Sequence, residues 1–148
     1  MITIVHFPGA RVAALEYRGT EHGLDNEAVP KFVAWRRENK LPPNVSATFN
    51  IVYPDAPEVR FDLCAEVQGP VAPNSYGVIE KQIAAGRCAV LRHVGPEHEL
   101  GAAVRSLHAW REQNGETLRD APLFFQRVNF GPGVSPDAWI TDIYLPLA

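Results

Sequence analysis

Gly86-Arg87-Cys88-Ala89-Val90-Leu91-Arg92-His93-Val94-Gly95-Pro96 has a diverged twin near the start of the chain, Ala10-Arg11-Val12-Ala13-Ala14-Leu15-Glu16-Tyr17-Arg18-Gly19-Thr20. Arg11 answers to Arg87, Ala13 to Ala89, Leu15 to Leu91, Gly19 to Gly95, Glu21 to Glu97 and His22 to His98, every pair 76 positions apart. The match continues at a spacing of 75, where Ala34-Trp35-Arg36 answers to Ala109-Trp110-Arg111. It closes at a spacing of 80, where Asp62 in Phe61–Val67 answers to Asp142 in Thr141–Leu147. The drift in spacing belongs in loops. Each copy covers about half of the chain, so the pattern reads as a single domain of residues 1–148 made by internal duplication, with copies at 1–68 and 76–148, and not as a repeat array.

Outward from that stretch, each copy predicts the order strand, strand, helix, strand, strand. Ile2–Phe7 and Arg11–Tyr17 read as two strands joined at Pro8-Gly9, so the chain is expected to open on a hairpin. The period then changes, and Leu24 to Asn39 fits a helix with Pro30 near its start. Thr48–Tyr53 and Arg60–Val67 are the next strands, across the Pro54-Asp55-Ala56-Pro57 turn. Gly69 to Ser75 connects the copies. In the second, Val78–Ile83 and Arg87–His93 are expected to form a hairpin, Glu97 to Asn114 a helix stopped by Gly115, and Pro122–Phe130 and Ala138–Leu147 the closing strands. Two such halves, packed about a pseudo-twofold axis, would leave a cleft flanked by the two helices.

Bulk properties exclude several classes. A chain of 148 residues, 46% hydrophobic, holds one ordinary domain with a sizeable core. The net charge of −3 and the lack of a basic block argue against a direct nucleic-acid partner. Met1 to Phe7 is neither a signal peptide nor a membrane span, so a cytoplasmic protein without a membrane partner is expected. Cys64 and Cys88 lie in apolar strand patterns, outside any Cys-x-x-Cys arrangement, and read as buried thiols. His93 and His98 are not at the i, i+4 spacing of two metal ligands on a helix, so no metal is expected.

The Gly86–Pro96 stretch, the Trp110 helix, Asn129 and the closing Thr141-Asp142-Ile143-Tyr144-Leu145-Pro146-Leu147 together resemble the GyrI-like small-molecule-binding family, which also supplies the effector-binding domains of AraC-type and some MerR-type regulators. Tyr53-Pro54-Asp55-Ala56-Pro57 and Arg60-Phe61-Asp62-Leu63-Cys64 carry the resemblance in the first copy. The resemblance implies an α+β fold of duplicated β-β-α-β-β halves, its antiparallel sheet curled toward a barrel, with a cleft for lipophilic aromatic compounds. Having no added helix-turn-helix, the chain is expected to be a stand-alone member.

One departure shapes the functional expectation. The family pattern Pro-x-Phe-Glu-x-Tyr, whose Glu is the counter-charge for cationic ligands, stands here as Pro122-Leu123-Phe124-Phe125-Gln126-Arg127. Phe125, Arg127 and Asn129 share a strand face. A cation beside Arg127 would meet a like charge, so neutral or anionic planar molecules are expected, with Phe125, Trp35 and Trp110 as stacking surfaces. The expected ligand-binding set is Glu16, Trp35, Tyr53, His93, Trp110, Phe125 and Arg127, with no catalytic residue and no cofactor. Two alternatives follow from the resemblance: a hydrolase of cyclopropane-type alkylating compounds, which Phe125 puts in doubt, and a protein partner such as gyrase or a regulator. Structural roles compete with these. Trp35 and Trp110 on the inner helical faces read first as core residues and second as cleft lining, and Asp62 and Asp142 are expected to pair with Arg11, Arg87 or backbone amides.

Overall fold

The computed structural model describes residues 1–148. Eight antiparallel-paired strands and helical segments make an α+β fold: β1 (Ile2–Phe7), β2 (Ala10–Gly19), α1 (Glu21–Gly23), a π-helical segment (Leu24–Ala28), α2 (Val29–Glu38), β3 (Thr48–Val52), β4 (Val59–Glu66), β5 (Ile79–Ile83), β6 (Gly86–Val94), a 3-10 turn (Glu97–Glu99), α3 (Leu100–Gln113), β7 (Leu123–Arg127), a 3-10 turn (Pro136–Ala138) and β8 (Ile140–Pro146).

The chain forms two compact units, Ala10–Ile83 and Met1–Gly9 with Ala84–Ala148. Neither expected hairpin forms. In the first unit the strands run β3-β4-β2-β5, and in the second β7-β8-β6-β1, so the opening strand of each copy has been exchanged. β1 pairs with β6 (Phe7 opposite Gly86), and β5 pairs with β2 (Ile83 opposite Ala10). The two ladders are equivalent: Gly86 lies 76 positions after Ala10, as Ile83 does after Phe7. The central pairs obey the same rule, with Val12 opposite Glu66 and Cys88 opposite Pro146. Pro8-Gly9 and Ala84-Ala85 are therefore passages between the two units and not hairpin turns.

The first helical run starts three residues earlier than the periodicity predicts, because the Thr20 side chain caps it by accepting from the Gly23 amide at 3.0 Å. It passes through Pro30 by way of the wide π turn, in which the Val29 amide reaches back five residues to the Leu24 carbonyl. In an unbroken α-helix the proline ring would clash with the carbonyl four residues behind it. Both long helices end in the same motif. Gly115 at φ 65° follows α3, and its amide and that of Glu116 bond the Glu112 and Arg111 carbonyls. After α2 the same place is held by Lys40, at φ 57°.

In the first unit, Ala13 and Leu15 of β2, Leu63 and Ala65 of β4 and Phe32 and Trp35 of α2 form one core, with Phe32 and Trp35 stacked at 5.8 Å. In the second, Phe7, Phe124 and Tyr144 pack as a triple, 4.7 to 5.4 Å between centroids. Cys64 and Cys88 are buried free thiols, and burial raises the pKa of each. No helix is long and apolar enough to cross a membrane.

Candidate functional site

Antiparallel register places side chains before any contact is considered, because directly opposed residues share a face. Thr141 of β8 faces His93 of β6 on one side and Arg127 of β7 on the other. Phe125 stands two residues from Arg127, opposite Ile143. The 3-10 turn before α3 brings Glu97 and Glu99 to this row.

Arg127 is a buried guanidinium held from several sides. Its Nη1 and Nη2 donate to the two carboxylate oxygens of Glu97, the second at 2.9 Å, and Nη1 donates to Thr141 Oγ1 at 3.1 Å. The guanidinium carbon lies 5.1 Å from the Phe125 ring centroid and 4.6 Å from that of Phe130, within cation-π range. Bidentate pairing of this kind fixes both orientation and charge. The positive charge expected to meet a ligand at Arg127 is therefore matched by the Glu97 carboxylate.

His93 is the least satisfied member of the row. Its Nε2 is buried and has no hydrogen-bond partner. The nearest anionic oxygen, Glu99 Oε1, is 3.6 Å away, outside hydrogen-bond range.

A second polar cluster lies in the other unit. Lys81 of β5 is opposite Val12 of β2, and its Nζ donates to Asp62 and Glu16 at 2.8 Å each and to the Tyr53 hydroxyl at 3.2 Å. Tyr53 in turn donates to Asp62 at 3.0 Å, and the Arg60 guanidinium sits 3.8 Å from the centroid of its ring. Burial works against the Lys81 charge, but the bonds to Asp62, Glu16 and Tyr53 raise its pKa above the ordinary value. Burial raises that of Tyr53.

The structure thus gathers His93, Phe125 and Arg127 in one unit and Glu16 and Tyr53 in the other. Trp35 is a core residue, and Trp110 is half-buried on α3. Asp62 and Asp142 are paired, but with other partners than expected: Asp62 with Lys81, and Asp142 bidentately with Arg92 at 2.8 and 3.0 Å. Arg11 and Arg87 instead pair with Glu80 and Glu116. Sequence reasoning did not find Glu97, Glu99, Thr141 and Lys81. The first had a signal in its 76-residue match to Glu21, whereas Lys81 depends on a strand exchange with no local signature. No cluster of three or more histidine, cysteine, aspartate or glutamate side chains suits a metal ion.

The model of the GyrI-like small molecule binding domain matches residues 1–148, the whole chain. The chain belongs to the GyrI-like family. Over 154 aligned residues it is 39% identical to the "Probable transcriptional regulator YgiV" of Escherichia coli K12, covering 99% of this chain and 96% of that one. Among solved structures, the C-terminal domain of EcmrR aligns over 100% of this GyrI-like chain and 97% of its own, with a TM-score of 0.80 and 18% identity. In the EcmrR–DNA complex the matched part is 57% of the EcmrR chain, with a TM-score of 0.79 and 17% identity. A hydrolase from Listeria innocua aligns over 99% of this chain and 91% of its own, with a TM-score of 0.73 and 14% identity. At these identities the structural likenesses establish the shared fold alone.

Proposed function

We propose that this GyrI-like chain is a cytoplasmic effector-binding domain for neutral or anionic aromatic or amphipathic compounds, received on the face that carries Phe125 and His93. The observation that carries this reading is Phe125 itself. At the position where the family pattern has its glutamate stands an apolar ring, and the neighbouring carboxylate, Glu97, is already bound bidentately by Arg127. A cationic ligand would lose hydration beside a residue 125 that offers no counter-charge, whereas a neutral aromatic has no charge to desolvate and an anionic one can turn its charge toward the His93 ring on the same face. The 39% identity to a probable transcriptional regulator supports a regulatory outcome of binding. The hydrolase reading has weaker support, since Phe125 offers no group for proton transfer.

The test is a thermal-shift series with 1-naphthoate, 1-naphthalenemethanol and 1-naphthylmethylamine on the wild type and on Phe125→Glu. A ligand at about a hundred times its dissociation constant adds about 2.7 kcal/mol, or several degrees for a domain of this size. The acid and the alcohol are expected to stabilise the wild type, and Phe125→Glu to turn the preference toward the amine. Stabilisation of the wild type by the amine alone would overturn the proposal.

A further inference from the structure

The duplication supplies an internal control for the unsatisfied histidine. Tyr17 is the counterpart of His93, Gly19 of Gly95 and Gly23 of Glu99, each 76 positions apart. In the first copy this corner is closed: the Tyr17 hydroxyl donates to the Thr20 carbonyl at 2.8 Å. Both glycines make room for it, since a Cβ at Gly19 would lie 2.5 Å, and one at Gly23 2.2 Å, from that hydroxyl oxygen.

In the second copy the tyrosine has become a shorter imidazole, and Gly23 has become Glu99. A Cβ at Gly95 would lie 2.3 Å from Glu99 Oε1 and 3.2 Å from His93 Nε2. The Glu99 carboxylate thus stands beside Gly95 as the phenol oxygen stands beside Gly19, but without a bond to hold it. It approaches His93 only to 3.6 Å, and its side chain is 49% exposed, so it can swing into water without losing a hydrogen bond to that ring. His93, with a side chain 13% exposed, cannot. What the fixed phenol satisfied in one copy has been divided in the other between a buried ring nitrogen and a hinged carboxylate.

From this we infer that His93 Nε2 is a receptor for the carboxylate of an aromatic acid, and that the Glu99 carboxylate is a tethered occupant which such a ligand displaces. A carboxylate oxygen only accepts, so it is received by the tautomer that carries the proton on Nε2, and an ammonium ligand has no acceptor to offer that N–H. His93 shares its sheet face with Thr141, Arg127 and Phe125, which places the acid's ring on the apolar side of the row. The inference deepens the proposed function and rests on that reading of the Phe125 face.

Calorimetric titration of 1-naphthoate and 1-naphthalenemethanol into the wild type, Glu99→Ala, His93→Leu and His93→Gln tests it. Glu99→Ala, which removes a competing like charge from an exposed position, is expected to tighten 1-naphthoate roughly threefold or more and leave the alcohol unchanged. His93→Leu is expected to weaken 1-naphthoate roughly tenfold with little effect on the alcohol, the loss of one charge-assisted hydrogen bond. His93→Gln keeps a donor and recovers part of the preference. If the alcohol binds and 1-naphthoate gains nothing in Glu99→Ala, the carboxylate receptor is overturned while the proposed function stands. If neither compound binds any of the four proteins, both are overturned together.

Discussion

Lys81 Nζ lies 2.8 Å from Asp62 Oδ2, joining an exchanged strand to a carboxylate whose side chain is only 2% exposed. The counterpart of Lys81 on β1 is Val5, 76 positions earlier, and the counterpart of Asp62 is Asp142, which takes its cation from Arg92 on β6. At the position equivalent to Arg92, β2 carries Glu16. Were β1 to dock on β2, as a local hairpin would require, the Asp62 carboxylate would face Glu16 with no cation. The pair thus favours β5 over β1 as the neighbour of β2, a registry role of the kind best attested for buried ionic groups.

The two ends of this pair are predicted to respond unequally. Lys81→Met takes the cation from a buried carboxylate, leaving it the Tyr53 hydroxyl, and should lower stability by about 3 kcal/mol. Asp62→Asn leaves Lys81, 23% exposed, with Glu16 and solvent, and should cost about 1 kcal/mol. Urea unfolding of both variants checks the order, and equal losses would contradict the strand-specifying role.

Alkaline pH should weaken the same cluster. The folded pKa values of Lys81 and Tyr53 are raised, so around pH 10 to 11 the folded chain holds protons that the unfolded chain has released. The contribution of Lys81 is complete below its unfolded pKa of about 10.4 and is lost as pH rises through the folded value. The urea midpoint is expected to fall as pH rises from about 10 to about 12, and to fall less steeply in a Lys81→Met/Asp62→Asn double variant. Parallel pH profiles for the two proteins would remove the cluster as the cause.

The helix ends offer a stabilising substitution. Lys40 sits at φ 57° where the second copy has Gly115 at φ 65°, and a side chain in the left-handed region costs about 1 kcal/mol or more. Lys40→Gly relieves that strain at the price of a freer unfolded chain. The net expectation is a gain of up to about 1 kcal/mol, read as a higher melting temperature, and Gly115→Lys should lose a similar amount.

The duplication was legible because strand and helix residues kept their spacing within each element, while the loops absorbed the drift of the offset from 76 to 75 and 80. The same property hid the strand exchange. With two copies in register, β1 fits β6 in sequence terms as well as β5 fits β2, and the choice falls to side chains such as Lys81 and Val5 that look unremarkable in a linear reading. Arg127 illustrates a second limit: its charge was visible, but Glu97, which neutralises it, comes from an element 30 residues away. The helix start was missed at Leu24 because periodicity begins there, whereas the Thr20 cap begins the hydrogen bonding.

Two arginines at equivalent places should differ sharply on removal. Arg36 is buried, and its guanidinium donates to the Leu41 carbonyl, the Ser46 carbonyl and Thr48 Oγ1 at 2.7 to 2.8 Å. It thereby ties the end of α2 to the loop that leads into β3, and burial lowers its pKa to about 10. Its counterpart 75 positions on, Arg111, donates to the Glu116 carbonyl at 3.1 Å and has a buried Nε without a partner. Truncating Arg36 to Met strands two carbonyls and a hydroxyl, whereas the same change at Arg111 loses one bond and removes an unsatisfied nitrogen. Because a buried polar group left unpaired costs about 1 to 3 kcal/mol, Arg36→Met is expected to be the more damaging by at least about 2 kcal/mol. Lysine at position 36 should not rescue it, since one ammonium does not reproduce the planar fork that spans the three acceptors. Urea unfolding of the three variants decides the point, and an Arg111→Met loss as large as that of Arg36→Met would show that the carbonyls near Arg36 find water instead.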